Sequence, residues 1–247
     1  MKVLIIILLL SLLSIVLPSN AQEIERSEIG IIYKRERSLN LDLNTDGWGF
    51  GYRIGFFKTG YVKRSLDINF SFIRDPKEVK VYNSGYATSK SYVYGKERKM
   101  YSLKVLYGKQ KDISNKPYWG GVDIRWLNLF GFNLAIGKPI YLYVDDQTND
   151  GVISLERYDK VKHDPYNIVG RGPYVNGLDE LEIFPGITFK TAINVEYGSS
   201  PEKTKAIEAG VMFNGYIYPY NIMAYSEPSY FDVVFYVSFQ FGKRYNN

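Results

Sequence analysis

The chain has 247 residues, no cysteine and a formal net charge of +5, which excludes a disulfide framework, a thiol nucleophile and a lipid-bearing cysteine. The charge excess is too mild to argue for nucleic acid, although it suits anionic lipid head groups. Aromatic residues make up 16% of the sequence, with 23 Tyr, a composition that fits rings placed where apolar and wet surroundings meet.

Residues 1–21 read as an export signal: a charge at Lys2, an apolar run from Val3 to Leu17, then Ser19-Asn20-Ala21 with small residues where a signal peptidase reads. Cleavage before Gln22 leaves residues 22–247 as one β domain. The apolar run is shorter than the roughly 20 residues a spanning helix needs, and no later stretch is longer. The mature chain is therefore expected to be secreted, or built into a membrane without helices.

From there the signal is period two, which in a strand sends successive side chains to opposite faces. The first segment is weak, with Ile29, Ile31 and Tyr33 against Gly30, Ile32 and Lys34, and residues 37–46 read as a connection. In GWGFGYRIGF, Trp48, Phe50, Tyr52, Ile54 and Phe56 alternate with glycines and Arg53. Leu66, Ile68, Phe70 and Phe72 then oppose Asp67, Asn69 and Ser71, and Tyr101, Leu103, Val105 and Tyr107 oppose Ser102, Lys104 and Gly108.

The stretch from Tyr118 to Val144 has no obvious stop. Val122, Ile124, Trp126, Phe130, Phe132 and Leu134 share one parity, Asn128 being the exception, and Asp123, Arg125 and Asn133 share the other. A hairpin at Gly131 would make nine strands and a continuous strand eight. Three further segments alternate clearly: Ile187 to Tyr197 around Lys190 and Glu196, Ile207 to Ile217 around Glu208, and Phe231 to Phe241, where only Val234 breaks the polar set containing Asp232.

With eight strands, short joints near residues 58–60, 111–116 and 199–204 alternate with mostly long ones at 37–46, 74–97, 145–180 and 220–229, and both chain ends fall on the short side. That is the layout of an outer-membrane barrel with brief periplasmic turns and extended outside loops. The expected fold is all-β, an eight-stranded antiparallel transmembrane barrel. A soluble sandwich would also alternate, but its polar face would meet water, and the charge-free apolar faces here approach the 9–11 residues a tilted spanning strand requires.

The inward face then collects Lys34, Arg53, Lys104, Arg125 and Lys190 against Glu36, Asp67, Asp123, Glu196, Glu208 and Asp232. Eight strands leave room only for side chains, so these charges must pair, burial of a single charge being costly. The result is a plugged lumen, with the inward glycines of the second segment making room for long side chains from across the barrel.

A signal ending in Asn20-Ala21-Gln22, the eight-strand pattern and a last strand FYVSFQFGKR together resemble the small outer-membrane barrels of Bacteroidota, OmpA-like in their transmembrane part. LNTDGWGFGYR, SYVYGK, KPYWGGVDIRW and GKPIYLYV are similar to one branch of them. The resemblance implies no catalytic motif and no cofactor. The chain departs from the terminal Phe of proteobacterial barrels, because Arg244 to Asn247 follow Phe241.

Among candidate chemistry, His163 lies beside Asp164 in the longest loop. Some eight-stranded barrels modify lipid A with a His and a Ser or Asp at the outer rim, but sequence does not place Ser154 or another hydroxyl beside His163. The bland reading is a solvated loop histidine. DDQTNDG at 145–151 has part of a calcium-loop spacing, but Arg157 stands where the closing Glu should be. GWGFG lacks the following helix of a phosphate cradle. The hairpin 74–99 is expected to prolong its strands upward, and its Tyr82, Tyr86, Tyr92, Tyr94, Lys90 and Lys96 are candidate contacts for a protein partner or lipopolysaccharide. The expected function is a non-enzymatic barrel whose loops bind other envelope proteins, as a structural or accessory subunit in secretion or barrel assembly. The alternative is a lipid A-modifying enzyme or a small-ligand barrel.

Overall fold

The computed structural model describes residues 33–86, 89–114, 122–146, 152–198, 200 and 202–246. The expected export signal, Ile29 to Ile32 and residues 147–151 of the acidic loop lie outside the described residues. Eight long strands close an antiparallel barrel: β1 (Arg35–Asn44), β2 (Gly47–Phe57), β3 (Val62–Ile73), β6 (Arg98–Ser114), β7 (Asp123–Pro139), β11 (Glu182–Glu196), β12 (Lys203–Tyr220) and β13 (Ser229–Tyr245), in that order around the ring. Five short strands lie beyond one mouth: β4 (Lys80–Val81) and β5 (Tyr92–Val93) as a ribbon, and β8 (Tyr141–Asp146), β9 (Val152–Arg157) and β10 (Ile168–Arg171) as a three-stranded sheet.

β7 runs without a break through Gly131, pairing with β6 on one side and β11 on the other. A hairpin there would leave Phe130 and Phe132 without their partners Tyr107 and Val105. The strand ends at Pro139, whose missing donor falls at the end of the ladder.

The first strand differs from the sequence expectation. β1 is Arg35–Asn44, inside the stretch read as a loop, and the joint to β2 is only Thr45-Asp46. The polar residues of SLNLDLN occupy alternate positions: Ser38, Asn40 and Asp42 are buried in the barrel while Leu39, Leu41 and Leu43 point out. Lys34, expected among the inward charges, is exposed ahead of β1. Its backbone closes the ladder end, with Lys34 N–H donating to Tyr245 O at 3.1 Å.

The hairpin 74–97 also departs from expectation. β3 stops at Ile73 because Asp75-Pro76-Lys77-Glu78 forms a turn, in which Lys77 N–H donates to Asp75 Oδ1 at 2.8 Å and Asp75 N–H to Glu78 Oε1 at 3.2 Å. The ribbon is thus a separate piece that packs sideways on the β8–β10 sheet, where Arg171 N–H donates to Lys90 O at 3.3 Å. Residues 221–228 complete this cap, through Ala224 N–H to Gly95 O at 2.7 Å and Glu97 N–H to Ile222 O at 2.9 Å.

The glycines of β2 serve near neighbours rather than partners across the barrel. A Cβ on Gly55 would lie 2.7 Å from Lys63 Cδ, and one on Gly51 would lie 3.0 Å from Asn69 Nδ2, both on adjacent β3.

Closure rests on β1 meeting β13, with Leu41 opposite Phe239. The chain holds no cysteine, so Leu41→Cys with Phe239→Cys forms a single intramolecular disulfide under mild oxidation. It is read as a mobility shift reversed by reductant, and Leu41→Cys with Val233→Cys gives none.

Candidate functional site

The lumen is filled by layers of inward side chains. At its middle Arg53 of β2 bonds Asp67 Oδ2 at 2.7 Å and Glu208 Oε2 at 2.6 Å, and Lys190 Nζ lies 3.3 Å from Asp67 Oδ2 and 3.2 Å from Glu208 Oε1. Two cations and two carboxylates from four strands so neutralise one another, with Arg53 only 1% exposed. Tyr236 OH donates to Glu208 at 2.8 Å and Asn194 Nδ2 at 3.1 Å, which completes the bonding of Glu208. In the rows beside these charges the wall turns apolar: Leu106 pairs with Asp67, and Leu129 and Met212 with Lys190, joined by Leu127, Ala192 and Val234. The break in alternation at Val234 belongs to this layer.

Toward the chain termini a second network forms. Glu36 is bonded by Lys63 Nζ at 2.7 Å and Arg244 Nε at 3.0 Å, and Arg125 bonds Glu196 and Asp112, each at 2.9 Å, and also Asp123. Arg244 also pairs with Glu196, joining the two halves. Toward the other mouth Lys104 donates to Ser71 Oγ at 3.2 Å, and Asp232 accepts from Tyr220 OH. The inward charges therefore divide. Arg53, Asp67, Lys190 and Glu208 meet at the centre; Glu36, Asp123, Arg125 and Glu196 meet at the base; Lys104 and Asp232 enter neither network. Lys63, Asp112 and Arg244 were missed in the sequence reading. Their signal is parity: Arg244 lies opposite Glu36, Asp112 opposite Arg125, and Lys63 shares the inward parity of Ser65 and Asp67 on β3.

The cap uses side chains that the sequence suggested for partners. Tyr92 is 4% exposed, packed with Leu142, Val144, Tyr158, Ile168 and Ala224. Tyr94 OH lies 3.2 Å from Tyr225 OH, Tyr86 OH donates to Asp145, and Lys96 Nζ bonds Glu78 at 2.5 Å. These four are internal fasteners of the cap and not free anchors, because three connections fold onto one another. Tyr82 and Lys90 remain exposed.

His163 is fully buried, which corrects the solvated reading. Its Nδ1 accepts from Asp159 N–H at 3.0 Å, so Nε2 carries the proton and donates to Glu156 Oε2 at 3.1 Å. Ser154 Oγ donates to the other oxygen, Glu156 Oε1, at 2.9 Å. The order is Ser, Glu, His, with the carboxylate between hydroxyl and ring. An acyl-transfer triad needs the imidazole in the middle. Bonds from Lys162, His163 and Ser154 hold the Glu156 carboxyl well below its usual range, at about 2.

Charges inside, large apolar side chains outside and eight strands closed on themselves define a closed eight-stranded antiparallel β-barrel. No protein-family model matches the chain, and no curated protein matches it. Among solved structures it is similar to Neisserial surface protein A, at 9% identity and a TM-score of 0.38, over 86% of this chain and 96% of that one. It is likewise similar to Ail, the attachment invasion locus protein of Yersinia pestis, at 8% identity and a TM-score of 0.40, over 85% of this chain and 96% of that one. Likeness so remote transfers no property.

Arg53→Ala leaves Asp67 and Glu208 to share Lys190 alone, an uncompensated buried charge that destabilises the barrel by about 3–5 kcal/mol, read as a lowered denaturant midpoint. In the cap, the contribution of Glu156 is complete above its ordinary value of 4.5 and is lost as pH falls toward about 2. Pepsin therefore cuts the cap of the wild-type barrel faster as pH drops through that window, whereas Glu156→Gln is cut fast throughout it.

Proposed function

We propose that this chain is an outer-membrane barrel of a Gram-negative bacterium, OmpA-like and of the Bacteroidota type its sequence resembles. It is non-conducting, and its packed cap is presented outside the cell as a structural or accessory surface for other envelope proteins. The observation that carries this reading is the inversion of polarity on single strands. On β13, Phe231, Val233, Phe235, Val237 and Phe241 are exposed while Tyr236, Ser238 and Gln240 are buried. The same holds on β7, where Phe132 is 77% exposed beside buried Asn133. In water an apolar belt of this size is unfavourable, since monomers rarely expose contiguous patches above a few hundred Å²; against hydrocarbon it is the favourable face. Even the polar exception on the belt is satisfied, Asn128 accepting from Thr191 Oγ1 at 2.9 Å.

The orientation proposed puts the end that holds the 58–61 turn and both ends of the described strands on the periplasmic side, as in such barrels, and the cap outside, with the two-residue Thr45-Asp46 joint beside it. The charge networks and the apolar layer fill the lumen, which favours a sealed barrel over a diffusion porin. The lipid A-modifying alternative finds no support in the Ser154, Glu156, His163 order, so the role proposed is non-enzymatic.

Phe132→Lys tests the central premise. Near the middle of β7 it costs about 2–4 kcal/mol if the belt faces a bilayer, but stays within about 0.5 kcal/mol if that face meets water. Reconstituted wild-type barrel gives no conductance above a small leak in planar bilayers, and gentle detergent extraction recovers it with a stable partner. A lone barrel that alters lipid A, losing that activity in His163→Ala, reverses the functional part of the proposal.

A further inference from the structure

Lys99 of β6 and Lys138 of β7 are register partners, and both stand on the outer face of the barrel, one step past the outward Tyr101 and Ile136. Like charges directly opposite each other in an antiparallel pair are unfavourable. Three carboxylates of this rim are already taken: Glu97 by Arg98, Glu182 by Arg98 and Arg157, and Glu180 by Arg157. Among the described residues neither lysine has an ion-pair partner.

What the pair does have is one ring and one carbonyl. The Tyr174 ring centroid lies 5.0 Å from Lys99 Nζ and 4.9 Å from Lys138 Nζ, and Asn176 O accepts from Lys138 Nζ at 2.7 Å. Tyr174 is itself fixed by Tyr101, hydroxyl to hydroxyl at 2.6 Å. Although it is charged, Lys138 is only 4% exposed. Two ammonium groups are thus preset around one aromatic face with donors to spare and no counter-charge.

Immediately on the belt side lies an aromatic ladder. Tyr101 packs on Phe70 and Phe72, and Phe72 stacks on Trp48 with centroids 4.4 Å apart. An anion held by the lysines would therefore sit directly above a smooth apolar wall.

We propose that Lys99 and Lys138, with Tyr174 between them, form a site for the phosphate of a membrane lipid whose acyl chains lie along the Tyr101, Phe72 and Trp48 face. The proposal rests on the reading of this chain as a membrane barrel. A free phosphate ion shares the head-group chemistry, but gains nothing from the apolar wall below.

Trp48 is a built-in reporter. The full chain carrying Trp119→Phe and Trp126→Phe is reconstituted into phosphatidylcholine vesicles containing phosphatidic acid, with one or the other lipid brominated in its acyl chains. Brominated phosphatidic acid quenches Trp48 at a lower mole fraction than brominated phosphatidylcholine. This preference falls about fivefold for each lysine removed, in Lys99→Gln and Lys138→Gln. Lys138→Gln also removes the bond to Asn176, so Lys99→Gln alone must show the loss. An unchanged preference in Lys99→Gln overturns the site, and so does abolition of the preference by excess inorganic phosphate, which assigns it to the free ion. Flotation with the vesicles separates the two levels: wild-type chain that floats without preference sinks this proposal alone, whereas chain that does not float sinks the membrane reading with it.

Discussion

The fold depends on one arrangement, a guanidinium shared by two carboxylates at the centre of a narrow cylinder. Removing a charged group from water costs several kcal/mol per ion even after relaxation, and the mutual attraction offsets this only with good geometry and with the remaining lone pairs bonded. Around Glu208 that condition is met, since Lys190, Tyr236 and Asn194 complete the set, while Asp67 takes Arg53 and Lys190 on its Oδ2 alone. Because the four charges come from β2, β3, β11 and β12, they tie opposite walls together. Polar side chains gathered within, beside one thin apolar layer, leave most of the large apolar ones to the outside. Interior electrostatics and exterior polarity are therefore one constraint, expressed on the two faces of the same strands.

Much of this was legible in the sequence. Alternation located seven of the eight barrel strands, and the continuity of β7 through Gly131 followed from counting crossings. β1 was lost because a half-buried strand with leucines on one face and Ser38, Asn40 and Asp42 on the other resembles a polar loop when its partners are unseen. Parity was nonetheless intact there, and it would also have flagged Lys63 and Arg244. Val234 illustrates the reverse case: the one apolar residue among polar neighbours was not noise but part of an internal layer with Leu106 and Leu127.

The cap was much less legible, for a physical reason. Its contacts join residues far apart in the chain, such as Tyr86 with Asp145 and Asn83 Nδ2 with Ile168 O. No period marks such pairs. Tyrosine adds to the ambiguity, because its apolar ring and polar tip suit an exposed anchor and a buried fastener equally well. In this cap most of the tyrosines fasten. His163 is similar, its isolation in the sequence saying nothing of the bonds to Asp159 and Glu156 that enclose it.

The seam between β1 and β13 brings together the first and last strands of the barrel, and its salt-bridged clasp joins Glu36 to Arg244 across 208 positions. Loop-closure entropy grows with the length spanned, so this ladder is the last that a growing sheet can complete. Until then the sheet is an open ribbon with two bare edges, each able to recruit a foreign strand. Maturation of this protein must therefore include a step that shelters those edges until the final strand is in hand.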